Sequence, residues 1–389
     1  MNARFLAPSR RRLGFVIASI TLLAAVQVVS AAPALARDSE GGGGGFVQTN
    51  LVSDLTMAGV TQDDNLKNPW GIVHGPSTPW WVSDNNGNVA TLYNGTGQKF
   101  PPATPLVVNI PAPGATTGGT PTGTVFNAVG TDFMVTDTKA NLTGSSLFIF
   151  ATEDGTIVGW SPAVNRTQGF IAVDNSMVPN ASDGAVYKGL AIATAGTGQR
   201  LYATNFRAGT VDVFDSRFIP VHLPGAFVDR KIKQGFAPFG IQAIGDRIYV
   251  TYAKQDATRH DDVKGPGNGF VDVFNTDGKL LRRLIRRGHL NSPWGLALAP
   301  QGFGEFGGDL LVGDFGDGRI NAYSLRSGEL EGSLRQPNHR PIVIDGLWGL
   351  GFGNGATAGP TGTLFFSAGI NGEADGLFGS LVPAPEEHD

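Results

Sequence analysis

The sequence contains no cysteine in 389 residues, which excludes a disulfide framework, a thiolate nucleophile and a cysteine-ligated metal. Its six histidines include no His-x-x-x-His pair, so the helical zinc motif is missing as well. There is no Gly-x-Ser-x-Gly elbow, and no serine stands out beside a histidine and a carboxylate, which disfavours serine hydrolase chemistry. Charge is scarce, at 16% of residues. The one basic cluster, Arg282, Arg283, Arg286 and Arg287, alternates in pairs with Leu280, Leu281, Leu284 and Ile285, and reads as a solvated outer strand or short helix. One apolar run, Leu13 to Val29, comes near a membrane span but falls short of the about 20 residues that spanning requires.

Glycine and proline are abundant, at 56 and 24 residues. Helix interiors tolerate neither, so the composition favours many short strands joined by tight turns. Arg4, Arg10, Arg11 and Arg12 precede the apolar run, and Ala34-Leu35-Ala36 follows it, an arrangement expected of a signal peptide over residues 1–36 cleaved near Ala36. Ser9 to Gly14 is also similar to a twin-arginine motif, and the export route stays open between the general and twin-arginine pathways. That segment holds four arginines and no acid, so the remainder carries a net charge of about −8 against −4 for the whole chain. Nucleic acid is therefore not an expected partner, and no membrane span is expected in the mature chain. Residues 37–45, ending in Gly41 to Gly45, read as a flexible linker.

From Phe46 onward the chain repeats. Six hairpins align: WWVSDNNGNVATLY, LFIFATEDGTIVGW, LYATNFRAGTVDVF, IYVTYA continuing through an insertion to GFVDVF, LLVGDFGDGRINAY and LFFSAGINGEADGLF. Their turn glycines, Gly87, Gly155, Gly209, Gly269, Gly318 and Gly372, lie 49 to 68 residues apart, a blade-length period. Ahead of most hairpins stands a Pro-x-Gly-apolar element: Pro69-Trp70-Gly71-Ile72, Pro238-Phe239-Gly240-Ile241 and Pro293-Trp294-Gly295-Leu296, with partial copies at Lys188-Gly189-Leu190 and Trp348-Gly349-Leu350. In the second repeat the element reads as decayed to Val125-Phe126-Asn127. Glycine suits strands crowded around an axis, so these are expected to be innermost strands. The last repeat supplies three strands, and Phe46 to Ser53 is expected to complete it. The fold class is all-β: a six-bladed β-propeller over residues 46–382 with four-stranded blades, closed by the N-terminal strand and followed by a disordered tail at 383–389.

This order of motifs resembles NHL-type six-bladed propellers, with Asp84 and Asp314 at that family's aspartate position. More narrowly, the Asn68-Pro69-Trp70-Gly71-Ile72, Pro121-Thr122-Gly123 and His260-Asp261-Asp262-Val263 segments are similar to those of uncharacterised exported bacterial propellers, some of which carry a C-terminal PEP-type sorting tail. No apolar segment follows Val382 here, so tail-directed anchoring is not expected.

Propeller topology gathers the loops leading into inner strands and the loops joining second to third strands on one face. The insertion Lys254 to Asn268, KQDATRHDDVKGPGN, is long for a structureless loop and is a lid or site candidate. Its His260, Asp261 and Asp262 are the candidate catalytic groups. Asp84, Asn205, His289, Asp314 and Asp345 are candidate ligands for calcium or another divalent metal. Asp84 to Asn88 begins like a calcium loop but lacks its later glycine and closing glutamate, and reads as a turn. Gly302 to Gly307 matches a dinucleotide-binding pattern without the helix that would hold a pyrophosphate. Trp70, Trp294 and Trp348 share one repeat position and read as packing residues.

Three functions remain open at this stage. The first is a monomeric exported binding module, periplasmic or extracellular, for a small ligand, glycan or envelope protein. The second follows from similarity in build to propeller lactonases and amidating lyases: a metal-dependent hydrolase or lyase with its site at the channel mouth. The third is a purely structural envelope or matrix protein.

Overall fold

The computed structural model describes residues 44–385 except Thr197. The expected signal peptide, most of the linker and residues 386–389 lie outside the described residues.

Among the described residues, six sheets form a ring and a seventh is the separate two-stranded pair of Met134–Asp137 with Leu142–Ser145. Blade one comprises Pro69–Val73, Trp80–Asp84, Val89–Tyr93 and Val107–Asn109, and blade two comprises Pro121–Phe126, Phe148–Thr152, Thr156–Trp160 and Phe170–Asp174. Blade three comprises Tyr187–Ala195, Gly198–Asn205 and Thr210–Asp215; a bridge from Phe214 to Pro220, with Val221 N–H donating to the Val213 carbonyl at 2.8 Å, fills its outer position. Blade four comprises Phe236–Ile244, Arg247–Lys254, Gly269–Phe274 and Leu280–Arg286, and blade five Pro293–Leu298, Leu310–Asp314, Ile320–Tyr323 and Leu330–Ser333. Blade six comprises Leu347–Phe352, Leu364–Ala368 and Leu377–Pro383, completed by Phe46–Ser53 and extended by Thr61–Gln62. Within each blade the strand pairs are antiparallel; the short Thr61–Gln62 strand alone runs parallel to its neighbour.

Burial explains why these strands do not simply alternate polar and apolar residues. Trp80–Asp84 and Val89–Tyr93 are buried at every position, whereas the outer strand Phe170–Asp174 is half-buried. A blade is covered on both faces by its neighbours near the axis and emerges into solvent at its rim. The apolar core divides accordingly. Trp81, Leu92, Phe148 and Trp160 pack between blades one and two, Tyr187, Leu201, Ile149 and Ile157 between two and three, and equivalent clusters fill the other junctions round to Trp80, Tyr93, Phe365 and Phe378 between six and one.

Around the axis the glycines are required by close approach. A Cβ on Gly71 would lie 2.5 Å from the Thr122 carbonyl oxygen, one on Gly189 2.9 Å from that of Phe239, and one on Gly349 2.6 Å from that of Trp70. Gly123, Gly240 and Gly295 face the next inner strand in the same way. This corrects the reading of blade two: its inner strand is Pro121-Thr122-Gly123, an intact Pro-x-Gly element with threonine in the variable place, rather than a decayed copy. Hydroxyls near the ends of second strands tie neighbouring blades together, with Thr204 Oγ1 donating to Phe239 O at 2.7 Å, Thr251 Oγ1 to Pro293 O at 2.6 Å and Ser367 Oγ to Trp70 O at 2.5 Å.

The ring closes as expected. Phe46–Ser53 pairs antiparallel with Leu377–Pro383, with a bulge between Asn50 and Val52. Phe46 anchors the closure, 2% exposed and 4.9 Å from the Phe303 ring; burying a phenyl group of this kind contributes about 2–3 kcal/mol. The final strand reaches Pro383, and Ala384 N–H donates to Gly45 O at 2.8 Å.

The arginine-rich segment is the outer strand of blade four. Arg283 Nε and Arg286 Nη2 reach the same carboxylate oxygen of buried Asp229, at 2.8 and 3.2 Å. Burial works against ionising Asp229, yet the Arg283 hydrogen bond, the Lys231 N–H and the charges of Arg283 and Arg286 together outweigh it and keep the group below its ordinary pKa. Asp272, 1% exposed beneath the pair, is pushed up to about 7 by burial and then by the Asp229 charge. Between an ordinary carboxylate pKa and 7, the folded chain holds a proton that the unfolded chain has released. This group therefore makes stability fall as pH rises from about 4 to about 7, at up to ~1.4 kcal/mol per pH unit, and adds no slope above that window. Asp272→Asn is expected to flatten the fall, as read from denaturant midpoints across the range; an unchanged slope would assign it to other groups.

Candidate functional site

Each inner strand starts on the same face of the ring, where the hairpin turns between second and third strands also lie. The second residue of each inner-strand element points its backbone at the neighbouring glycine and its side chain into the axis region. There Trp70, Trp294 and Trp348 meet Phe206, Ala237, Phe239, Ala253 and Phe315 in one buried cluster. Trp70 stacks on Trp348 with centroids 3.5 Å apart, Phe315 stacks on the same ring at 3.8 Å, and Trp294 meets Trp348 edge-on at 5.7 Å. The tryptophans are 1 to 9% exposed. They form an aromatic plug across the channel, which agrees with their reading as packing residues.

Lys188 breaks this pattern. It occupies the position held by tryptophan, phenylalanine or threonine in the other blades, yet is only 2% exposed. Its ammonium lies 5.1 Å from the Trp70 centroid, pairs with Glu153 and reaches Asp261 Oδ1 at 3.2 Å. Burial alone would favour losing the proton; Glu153 first, and then Asp261, more than offset that, so the pKa is raised and the group stays charged. Glu153 is oriented by Asn85, whose Nδ2 donates to Oε2 at 2.9 Å. A lysine held in this way is a fixed cation rather than a nucleophile.

The insertion in blade four arches over this point. Arg259 pairs with Asp183 at 2.6 Å, Gln255 Nε2 donates to Phe206 O at 2.6 Å, and Gly265 N–H donates to Asn291 Oδ1 at 2.6 Å. Lys264 Nζ stands 3.9 Å from the Phe315 centroid. His260 Nδ1 and Asp261 Oδ1 are 2.9 Å apart. That hydrogen bond, with Lys188 beside it, keeps Asp261 well below the usual carboxylate range. Asp262 is raised by burial against the pull of Lys188 and Lys264, and its Oδ2 is buried without a partner. From blade six, Glu373 accepts a hydrogen bond from Asn68 Nδ2 at 3.0 Å and is raised by burial, with the Glu153 charge adding to the rise.

His260, Asp261 and Asp262 therefore do come to the mouth. Glu153, His260 and Asp261 each offer a ligand atom within 4.8 Å of the others, the one such acid–histidine group among the described residues. None of the five expected metal ligands belongs to this group. Asp84 is buried and accepts from Thr91 Oγ1 at 2.7 Å. Asp314 accepts from Asn291 N–H at 2.9 Å and Asn321 Nδ2 at 2.7 Å. Asn205 accepts from Ala208 N–H at 3.2 Å and donates to Asp212 at 3.0 Å. Burial raises Asp84 and Asp314 well above the carboxylate range. These three brace their own hairpins, while His289 is exposed and Asp345 is an exposed acceptor for Asn371 N–H at 2.9 Å. An acid that braces a turn and an acid that binds a metal are alike in sequence. Lys188, Lys264 and Glu373 were missed; the available signal was a lysine standing where the sibling repeats carry Trp70, Thr122, Phe239, Trp294 and Trp348.

Six blades around a plugged axis, with the Lys188, Glu153 and Asp261 cluster on the loop face, define a six-bladed β-propeller with a capped mouth. An auxiliary nutrient binding protein from Bacteroides ovatus shares the fold, with a TM-score of 0.50 at 11% identity over 88% of this chain and 77% of that one. No family model matches the chain. The chain belongs to the family of uncharacterized proteins R648 and L690 of Acanthamoeba polyphaga mimivirus. It is 33% identical to R648 over 341 residues, covering 85% of this chain and 78% of the relative, and 34% identical to L690 over 343 residues, covering 85% and 84%. These relatives come from a giant virus, whereas the sequence motifs pointed to exported bacterial propellers. No helix among the described residues is long and apolar enough to cross a membrane.

Proposed function

We propose that this protein is an exported, monomeric binding module that holds a small polar ligand, such as a sugar, at the channel mouth beneath the Lys254–Asn268 loop. The carrying observation is Lys188: a buried ammonium fixed between Glu153 and Asp261 above an aromatic floor. The groups around it supply charged and neutral hydrogen-bonding partners from several blades, which suits orientation of a polar molecule. The same ammonium already neutralises the acids that a metal would need, so a divalent ion would have to displace it. Export would follow from the leader and cleavage near Ala36, and the acidic net charge keeps nucleic acid off the partner list.

A second reading, a divalent-metal-dependent hydrolase or lyase, is favoured by one observation, the proximity of Glu153, His260 and Asp261. In it those three residues would hold the ion, and the ion would polarise a substrate oxygen or activate water. Elemental analysis of purified protein, with melting temperature measured with and without chelator, separates the two. The binding reading expects no retained metal and an unchanged melt, together with ligand-induced stabilisation in a screen of sugars, amino acids and nucleosides that Glu373→Gln weakens. One ion per chain, lost in His260→Ala, would establish the metal reading instead.

A further inference from the structure

Among the described residues, blade three alone lacks a full fourth strand, and a cavity lies along its outer edge. Backbone groups alternate in direction along the third strand, Thr210–Asp215. Asp215 N–H donates outward to Ile219 O, and Val213 O accepts from Val221 N–H, each at 2.8 Å. By that alternation the N–H and C=O of Val211 also point outward, away from the Gly198–Asn205 strand. Among the described residues they have no partner. Beyond Val221 the chain leaves the strand edge instead of continuing the pairing. It forms a wall anchored by Phe227, whose ring lies 5.6 Å from Tyr202 and 5.1 Å from Phe274 and whose N–H donates to Gly278 O at 2.7 Å.

Between this wall and the strand edge is a cavity of about 440 Å³. Its lining is mostly apolar, with Val211, Val213, Phe214, Val221, Leu223 and Phe227 among the walls. The carboxylate in the lining, Asp212, is already engaged: it accepts from Tyr187 OH at 2.9 Å, Asn205 Nδ2 at 3.0 Å and Thr210 Oγ1 at 2.9 Å. A preformed concave space of this size, apolar with a few placed polar groups, has the build of a small-molecule site. The polar pair offered here is specific. An N–H and a C=O of one strand residue, facing the same way, match the C=O and N–H of another extended residue. Because Pro220 and Val221 already cover the lower part of the edge and the wall closes the far side, the space suits one such residue rather than a continuous added strand. We infer that the outer edge of blade three binds a small acylated apolar amino acid, held extended, whose N–H and C=O pair with the backbone of Val211 while its side chain packs among Leu223, Phe214 and Phe227.

The test is a ligand-observed NMR titration of the purified chain with N-acetylphenylalanine methylamide as the probe. Saturable binding is expected. N-acetylglycine methylamide, which lacks the apolar side chain, is expected to bind at least about tenfold more weakly. The phenyllactate analogue, in which an ester oxygen replaces the phenylalanine N–H, is expected to bind about fivefold more weakly. Val211→Pro removes an N–H that faces away from the sheet, a place where proline is tolerated, and is expected to weaken binding at least about tenfold. His260→Ala and Glu373→Gln, at the mouth, are expected to leave it unchanged. Absence of saturable binding overturns the inference, as does equal affinity for either analogue, full binding in Val211→Pro, or loss of binding in either mouth variant. If Val211→Pro fails to fold, Leu223→Ala, which trims the opposite wall, takes its place with an expected loss of about threefold, and unchanged binding there overturns the inference. A failed titration leaves the mouth proposal standing, because the lining of this cavity shares no residue with the Lys188 cluster.

Discussion

Gly240→Ala is expected to destabilise the protein by about 3 kcal/mol or more, or to abolish soluble expression. The added methyl would enter the Trp294 carbonyl oxygen of the next blade and lie 3.0 Å from Thr251 Oγ1. That hydroxyl accepts from Gly240 N–H at 2.8 Å and donates to Pro293 O at 2.6 Å. A clash with a flexible side chain could relax; this one meets backbone held by a ring of inner strands, where no strand can retreat without pressing on the one beyond it. Gly302→Ala is the matched control, since a Cβ there meets nothing within 4 Å, and it is expected to melt like the parent. Comparable melting temperatures for the two variants would refute the ring-contact argument.

Lys188→Met is expected to cost about 3 kcal/mol, the scale of removing one partner from a buried ion pair. The loss falls mainly on Glu153, whose side chain is only 14% exposed, whereas Asp261 at 66% can turn outward. Adding Glu153→Gln removes the stranded charge, so the double variant is expected to recover most of the stability. The methionine variant also releases one of the ties on the Lys254–Asn268 loop, and trypsin is expected to cut faster after Arg259 or Lys264. Additive losses in the double variant, or an unaltered cleavage rate, would show that Lys188 is not the centre of this network.

The ring was readable from the sequence because repetition tests itself. Six glycine hairpins and recurring Pro-x-Gly elements leave few architectures open, and a last blade one strand short points to Phe46–Ser53 as its partner. Blade two was misread for a specific reason: Thr122 stands where the copies have an aromatic, which hid an element whose glycine makes the same close approach as its siblings. The face of the site was legible for the same topological reason as the ring. Its residues were only partly so. His260, Asp261 and Asp262 drew notice because they occupy an unusual insertion, but Lys188 lay inside a framework motif and looked like part of the frame. Asp84, Asn205 and Asp314 looked functional because polar groups at turns recur; their recurrence reflects bracing work that these three hairpins share.

Ring closure also fixes an order of events. Ser53 Oγ donates to Gly376 O across 323 residues of chain, and the whole of Phe46–Ser53 waits for Leu377–Pro383. The earliest strand of the propeller to be synthesised is therefore the last to find its partner. Contacts this distant in sequence are slow to form, and blade six cannot be completed on the ribosome before nearly all of the chain has emerged. During that interval the Phe46 strand is an unpaired edge, so its exposure time, more than the stability of the finished ring, sets the protein's exposure to misassembly.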